Sequence, residues 1–279
     1  MRRSDDPSVS VVIPTRNEAR NLQAVLPTIA SIRPAVHEVI VVDGNSVDGT
    51  VETARQVLPW VRIVEQTRKG KGNALACGFA AATGDIIVMF DADGSADPAE
   101  IPAFVAALKA GADFAKGSRF ARGGGSADIT LLRRTGNAGL NGVANALFGT
   151  RHSDLCYGYN AFWIDLLPQL QLPPIETPAT DNGLLLWGDG FEIETVLACR
   201  VAAAGLRVTE VPSYERQRYF GVTNLRTFAD GLRVLRTLAA ERRRATRQRS
   251  VHAGPGTAGP TSSSLDTRAD RPTTTGSMR

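Results

Sequence analysis

Apolar positions run along the first 120 residues in two alternating patterns, short unbroken runs and helical stripes. Segments 9–13, 38–42, 61–64, 86–90 and 114–117 are runs of about five residues rich in Val and Ile, which predict strands covered on both faces. Between them, segment 21–32 repeats Leu22, Val25, Leu26 and Ile29 on one helical face. Segments 49–57, 72–82 and 98–110 also predict helices, with Ser46 or Asp48 able to cap the first of these three. Strands separated by single helices imply βαβ units, hence an α/β fold with a mostly parallel sheet flanked by helices. Ligands of such sheets sit beyond the carboxyl ends of the strands. That rule directs attention to 14–18, 43–48, 68–73, 91–95 and 118–122.

After residue 120 the pattern loosens. Segments 129–148 and 191–204 predict helices and 207–211 a strand, while 167–189, rich in Pro and Gly, predicts a long loop. Leu225, Phe228, Leu232, Leu235 and Leu238 mark one face of a further helix, with Arg226, Arg233 and Arg236 on the other. From Ser250 onward Gly, Pro, Ser and Thr predict a disordered tail. The expected organisation is one domain over 8–240 and a basic, then disordered, tail over 241–279.

Composition narrows the function classes. With 279 residues, 43% hydrophobic and 22% charged, the chain suits one large globular domain and excludes collagen and coiled coil. Cys77, Cys156 and Cys199 form no CxxC pair and read as core thiols in a reducing cytosol. No apolar run approaches the roughly 18 residues that a bilayer span needs, and the charged N-terminus shows no secretory leader. The net charge of +4 is unevenly placed: residues 1–240 carry 24 Lys and Arg against 25 Asp and Glu, and residues 241–279 carry 8 against 3. A neutral body with a basic end, lacking any zinc-finger, RRM or helix-turn-helix pattern, is not a nucleic-acid binder. Arg242, Arg243, Arg244, Arg247 and Arg249 are suited instead to anionic lipid, giving an expected peripheral contact at the inner face of the plasma membrane.

Chemistry concentrates at the strand ends. Asp91-Ala92-Asp93 follows the run IIVMF directly, and two carboxylates there can hold one Mg²⁺ or Mn²⁺ while leaving sites for phosphate oxygens. Asp43, ending the second run in VVDGNSVDGT, can accept from a base N–H or a ribose hydroxyl. Arg68-Lys69-Gly70-Lys71-Gly72-Asn73 opens a helix, so basic side chains and helix N–H groups together predict an anion site. It lacks the P-loop spacing, and GxGxxG and GxSxG are absent. His37, His152 and His252 show no metal-ligand spacing.

Taken together, VSVVIPTRNE, EVIVVDGNSVDGT, GKGNALACGFAAATGDIIVMFDADG and ADFAKGSRF resemble a family 2 glycosyltransferase of the GT-A fold over about residues 8–120. LLRRTGNAGLNGVANALFGTRHSDLCYGYNAFW, GFEIE and VPSYERQRYFGVTNL resemble its dolichyl-phosphate mannose synthase-like, polyprenyl-phosphate branch and extend the likeness to about 240. The resemblance implies that Pro14, Thr15, Glu18 and Asp43 hold the base and ribose of a GDP- or UDP-linked sugar. Lys71 and the Asp91-Ala92-Asp93 segment would meet its diphosphate, Asp91 and Asp93 through the metal. It also implies that Arg119, Arg133 or Arg134, and Arg218 meet donor and acceptor phosphates. For an acceptor hydroxyl, Asp189, Glu192 and Glu194 in GDGFEIE are the candidate bases. Three positions depart from the branch: Gly94-Ser95 stands where Leu-Gln is common, Arg16 where an aromatic is, and Asn224 where a Lys is. The expected reaction is inverting sugar transfer to a polyprenyl phosphate, with a sugar hydroxyl or small soluble acceptor as the alternative. A nucleotidylyltransferase would need a Gly-rich start in place of VVIPTRNE. A non-catalytic nucleotide-sugar binder would have no need of Asp91 and Asp93.

Overall fold

The apolar runs of the first half become strands where the sequence places them. The computed structural model describes residues 3–182, 184–221 and 227–252, with side chains of the last stretch described from 231 to 248. Strands β1 (Val9–Thr15), β2 (Glu38–Asp43), β3 (Arg62–Glu65), β4 (Ile86–Met89) and β5 (Phe114–Ser118) alternate with helices α1 (Ala19–Ala30), α2 (Thr50–Val57), α3 (Lys71–Ala81) and α4 (Ile101–Lys109). β1 pairs in parallel with both β2 and β4, and β2 with β3. Helices cover both faces, so Val11, Val12, Ile13, Val39–Val42 and Ile86–Val88 are wholly buried. Asp97 accepts from Ala99 N at 3.0 Å, capping the single 3₁₀ turn that precedes α4.

The second half supplies β6 (Gly125–Ser126), α5 (Leu131–Phe148), β7 (Asn160–Trp163), α6 (Leu167–Leu170), α7 (Ile193–Ala203), β8 (Val208–Pro212), β9 (Tyr214–Glu215) and α8 (Thr227–His252). The main sheet has the order β3-β2-β1-β4-β7-β5-β8, and β6 pairs with β9 in a small second sheet. β7 is the departure from expectation: it runs antiparallel between β4 and β5. Its residues are all buried, and Phe162 stacks on Phe114 and meets Phe79 edge-on. The expected loop over 167–189 begins with α6.

Behind the sheet, α5, α7 and α8 enclose a second cluster of Ala144, Leu155, Ala198, Cys199 and Leu238. The leucine face expected on α8 is only partly turned inward. Leu238 is buried, but Leu232 and Leu235 are 49% and 41% exposed. Leu225 lies outside the described residues, as does the side chain of Phe228. The inward stripe is instead Thr237, Leu238, Glu241 and Ala245. Its one charge is neutralised, because Glu241 pairs with Arg200 of α7 at 3.0 Å and accepts from Trp187 Nε1 at 2.7 Å. The three cysteines are free thiols, and burial pushes Cys156 up to about 12. Among the described residues, no helix is long and apolar enough to cross a membrane. The expected disordered tail lies almost wholly outside the described residues.

Candidate active site

The carboxyl ends of β1 and β2 form one wall. Thr15 Oγ1 donates to Val42 O at 3.1 Å, and Gly44 N donates to Thr15 O at 2.8 Å, tying the two strand ends together behind the half-buried Pro14. Asp43 accepts from Ser46 N at 3.0 Å through Oδ2, while its buried Oδ1 has no hydrogen-bond partner. A buried, unpartnered carboxylate oxygen costs free energy that a bound donor group would recover. Glu18 begins α1, with its backbone N–H on Thr50 Oγ1 and its carboxylate accepting from Asn21. Burial raises the Glu18 pKa; Asn21 and Arg218 oppose this, and the nearby Asp93 and Asp91 add to it.

That coupling places Glu18, Asp91, Asp93 and Arg218 around one region. Asp91 is 37% exposed at its side chain and pairs with Lys71 Nζ at 2.7 Å. Asp93 pairs with Arg218 at 2.9 Å, and Ala92 between them is buried in the core. Two oxygen-donor side chains, one of them open and both already facing cations, fit Mg²⁺ or Mn²⁺ shared with substrate phosphates. They do not fit an all-protein metal cage, and no cluster of three His, Cys, Asp or Glu suited to a metal occurs among the described residues.

The start of α3 differs from expectation. The Gly72 and Asn73 N–H groups already donate to Asp189 O, at 2.7 and 3.2 Å, so they do not form an open anion site. Arg68 turns inward: Nε lies 2.7 Å from Asp189 Oδ2, and its NH1 donates to Pro174 O at 2.9 Å and Thr177 O at 2.7 Å. Lys71 faces acids, bridging Asp91 and Glu194 Oε1 at 2.7 Å. Burial disfavours its cation, but Asp91 and Glu194 outweigh this and hold its pKa above the ordinary lysine value. Glycine is required here. A Cβ at Gly72 would fall 1.8 Å from Gly188 O, and one at Gly70, whose φ is +124°, would fall 2.1 Å from Asp189 O.

The acids of GDGFEIE are thus all engaged. Asp189 is 1% exposed and closes a two-point ion pair with Arg68. Glu192 Oε1 accepts from Gly188 N at 3.1 Å and Gly190 N at 3.2 Å. Glu194 holds Lys71.

The arginines converge from the other side. Arg119 lies beyond β5, bonded at two points to the fully buried Asp154 and at 3.0 Å to Glu215, and these acids raise its pKa despite burial. Arg134, in the first turn of α5, places its guanidinium 6.0 Å from the Phe120 ring, on which Arg119 also lies at 5.8 Å. Arg133 faces Asp128 at 3.9 Å. Segment 213–220 links these arginines to the acids. Its Arg216 N donates to Ser95 O at 2.7 Å, Tyr219 N to Asp93 O at 3.0 Å and Phe220 N to Asn21 Oδ1 at 3.0 Å. The Tyr219 ring occupies the space a side chain at Gly94 would need, its Cδ2 2.3 Å from that Cβ position. Gly94 is therefore the seat of the strap that carries Arg218. Sequence reasoning singled out neither Tyr219 nor the supporting Asp154 and Glu215; the aromatic and acidic residues inside the quoted motifs were the available signal. Asn224 lies outside the described residues.

A mostly parallel sheet with an acidic pair just beyond β4, faced by basic groups from its second half, defines an α/β domain of the GT-A kind. The chain belongs to glycosyl transferase family 2, whose profile matches residues 10–168, and it is a glycosyltransferase. It is 31% identical over 223 residues to polyprenol monophosphomannose synthase of Mycolicibacterium smegmatis, covering 77% of this chain and 80% of that protein. It is also 31% identical over 226 residues to undecaprenyl-phosphate mannosyltransferase of Micrococcus luteus, covering 78% and 87%. Among solved structures, glucosyl-3-phosphoglycerate synthase from Mycobacterium tuberculosis, in complex with Mn²⁺, UDP-glucose and phosphoglyceric acid, shares the fold. It has a TM-score of 0.63 at 23% identity, covering 85% of this chain and 80% of that one.

Proposed function

We propose that the protein transfers a hexose, with inversion, from a GDP- or UDP-linked donor to a polyprenyl phosphate. The observation that carries this reading is the engagement of all three candidate bases: Asp189 by Arg68, Glu192 by two backbone N–H groups and Glu194 by Lys71. A hydroxyl acceptor must lose a proton as it attacks, whereas a lipid phosphate arrives already anionic and needs no base. The names of the two relatives above agree with such an acceptor.

In this reading Pro14, Thr15, Glu18 and Asp43 hold the nucleoside, with Asp43 Oδ1 accepting from it. Asp91 and Asp93 would hold Mg²⁺ or Mn²⁺, which supplies positive charge to the leaving diphosphate when bound. Arg218 and Lys71 stand on the same carboxylates and shift toward the diphosphate as it binds, while Arg119, braced by Asp154 and Glu215, keeps the Phe120 shelf in place. Arg134 is exposed and makes no ion pair among the described residues, so it receives the acceptor phosphate. Arg134→Ala should therefore raise the acceptor KM or lower kcat at least about tenfold, which corresponds to about 1.4 kcal/mol, with donor binding changed less. Steady-state kinetics on a nucleotide-sugar panel with polyprenyl phosphate test this. Full activity of Arg134→Ala together with a dead Glu192→Gln would assign a hydroxyl acceptor instead.

A further inference from the structure

The strap that carries Arg218 meets the nucleoside wall through a buried amide. Asn21 stands in the first turn of α1, three residues after Glu18, and is 4% exposed. Its Oδ1 accepts from Phe220 N at 3.0 Å, and its Nδ2 donates to Phe220 O at 3.3 Å. The side chain thus pairs with the backbone of Phe220 at two points, as a neighbouring strand would. Nδ2 also donates to Glu18 Oε2. Both N–H donors of the amide are then used, and they fix its orientation, since a flipped amide would set its oxygen against a carboxylate and a carbonyl.

The two ends of this bridge have different tasks. On one side, the start of α1 is fastened to the turn that follows Asp43: Glu18 N donates to Thr50 Oγ1 at 2.9 Å and Ala19 N to Asp48 Oδ2 at 3.1 Å. On the other, Phe220 lies two residues after Arg218, whose guanidinium faces Asp93 at 2.9 Å. The bonds of Arg216 N to Ser95 O and of Tyr219 N to Asp93 O are main chain to main chain, and they tie the strap to the acidic pair alone. α1 supplies the tie to the nucleoside side, and Arg20 reinforces it, with its guanidinium 4.1 Å from the centroid of the exposed Phe220 ring. We infer that Asn21 is a positioning residue, which sets the Arg218 strap against Glu18 so that a nucleoside held by Glu18 also fixes the arginine facing the phosphates. Linkage makes the effect mutual: a seated strap tightens nucleotide binding by the same factor. The inference rests on the assignment of Glu18 to the donor and holds for either acceptor.

Trypsin reads the strap directly, because cleavage after Arg216 or Arg218 requires this segment to leave its seat. The full-length protein is digested briefly, with and without UDP or GDP plus Mn²⁺, and the cuts are located by mass spectrometry. Without nucleotide, Asn21→Ala should speed both strap cuts at least about fivefold, while the cut after Lys109, at the end of α4, keeps its wild-type rate. A general loss of stability would speed all three. Nucleotide should slow the strap cuts at least about fivefold in the wild type and less than about twofold in Asn21→Ala. Asn21→Asp keeps the shape but removes both N–H donors and should behave like Asn21→Ala. Phe220→Pro removes the N–H from the strap side, leaves α1 untouched and should do the same. Wild-type strap cleavage in Phe220→Pro, or in Asn21→Ala if it melts like the wild type, overturns the inference. So does equal nucleotide protection of the wild type and the variants. If nucleotide protects neither in a protein that transfers sugar to polyprenyl phosphate, the positioning role fails and the proposed function stands. If protection is lost in Asn21→Ala as expected but only hydroxyl compounds accept sugar, the acceptor assignment fails and the role of Asn21 stands.

Discussion

Replacing Asp189 by Asn separates a structural acid from a catalytic one. The carboxylate meets Arg68 at 2.7 and 3.0 Å, and both side chains are almost wholly inside the protein, at 3% and 1% exposure. The amide removes the charge but keeps the shape, leaving a guanidinium buried among carbonyls alone. Breaking a buried pair from one side costs about 3–5 kcal/mol, a large share of the roughly 5–15 kcal/mol that holds a domain together. With a urea dependence of about 2–3 kcal/mol per M, the unfolding midpoint should fall by roughly 1–2.5 M. Removing both charges, with Arg68→Met and Asp189→Leu, should recover much of that loss, because the unpaired charge is then gone. At a temperature where it is folded, the Asn variant should still transfer sugar. If it unfolds like the wild type yet is inactive, the carboxylate acts in the chemistry and the structural account is refuted.

Two further outcomes follow from the electrostatics. Lys71→Ala leaves Asp91 and Glu194 without their shared cation; it should weaken donor turnover by about tenfold or more while raising the benefit of added Mn²⁺, and unchanged metal dependence would contradict the role of Asp91. Burial, reinforced by Lys116 and partly offset by Glu210, lowers the His152 pKa from 6.5 to about 4. Below pH 6.5 the unfolded chain therefore gains a proton that the folded chain refuses, so this group lowers stability by about 3 kcal/mol as pH falls to 4. His152→Gln should lack that component, and urea midpoints that track the wild type from pH 7 to 4.5 would refute it.

What was legible in the sequence depended on how local the cause was. β1, β2 and β4 could be read because a strand covered on both faces is largely apolar, while the edge strand β3 showed only Ile63 and Val64 and was read from those and from its bounding turns. β7 could not: NAFW is only four residues, follows a glycine-containing polar loop, and gains its place only from antiparallel neighbours on either side. The leucine stripe of α8 was legible, but which side of the helix packs inward was not. The buried stripe instead contains Thr237 and Glu241, which are tolerated inside because Arg200 and Trp187 meet Glu241. The acidic pair, Asp43 and Glu18 were visible because βαβ topology delivers strand ends to one edge. The state of Asp189 was not, since its partner lies 121 residues away and nothing in GDG names it.

The contact of Gly70 and Gly72 with the Asp189 turn bears on how this enzyme could be re-engineered. It is made by main chain against main chain, with no side chain that a compensating change elsewhere could trim. A library aimed at a new acceptor can vary Arg134, which is open to solvent. At Gly72 even a methyl group must push apart two segments that the Arg68–Asp189 pair also ties together, so this junction should be a brittle point in any recombination. Crossovers between relatives should keep residues 68–73 and 188–190 from the same parent.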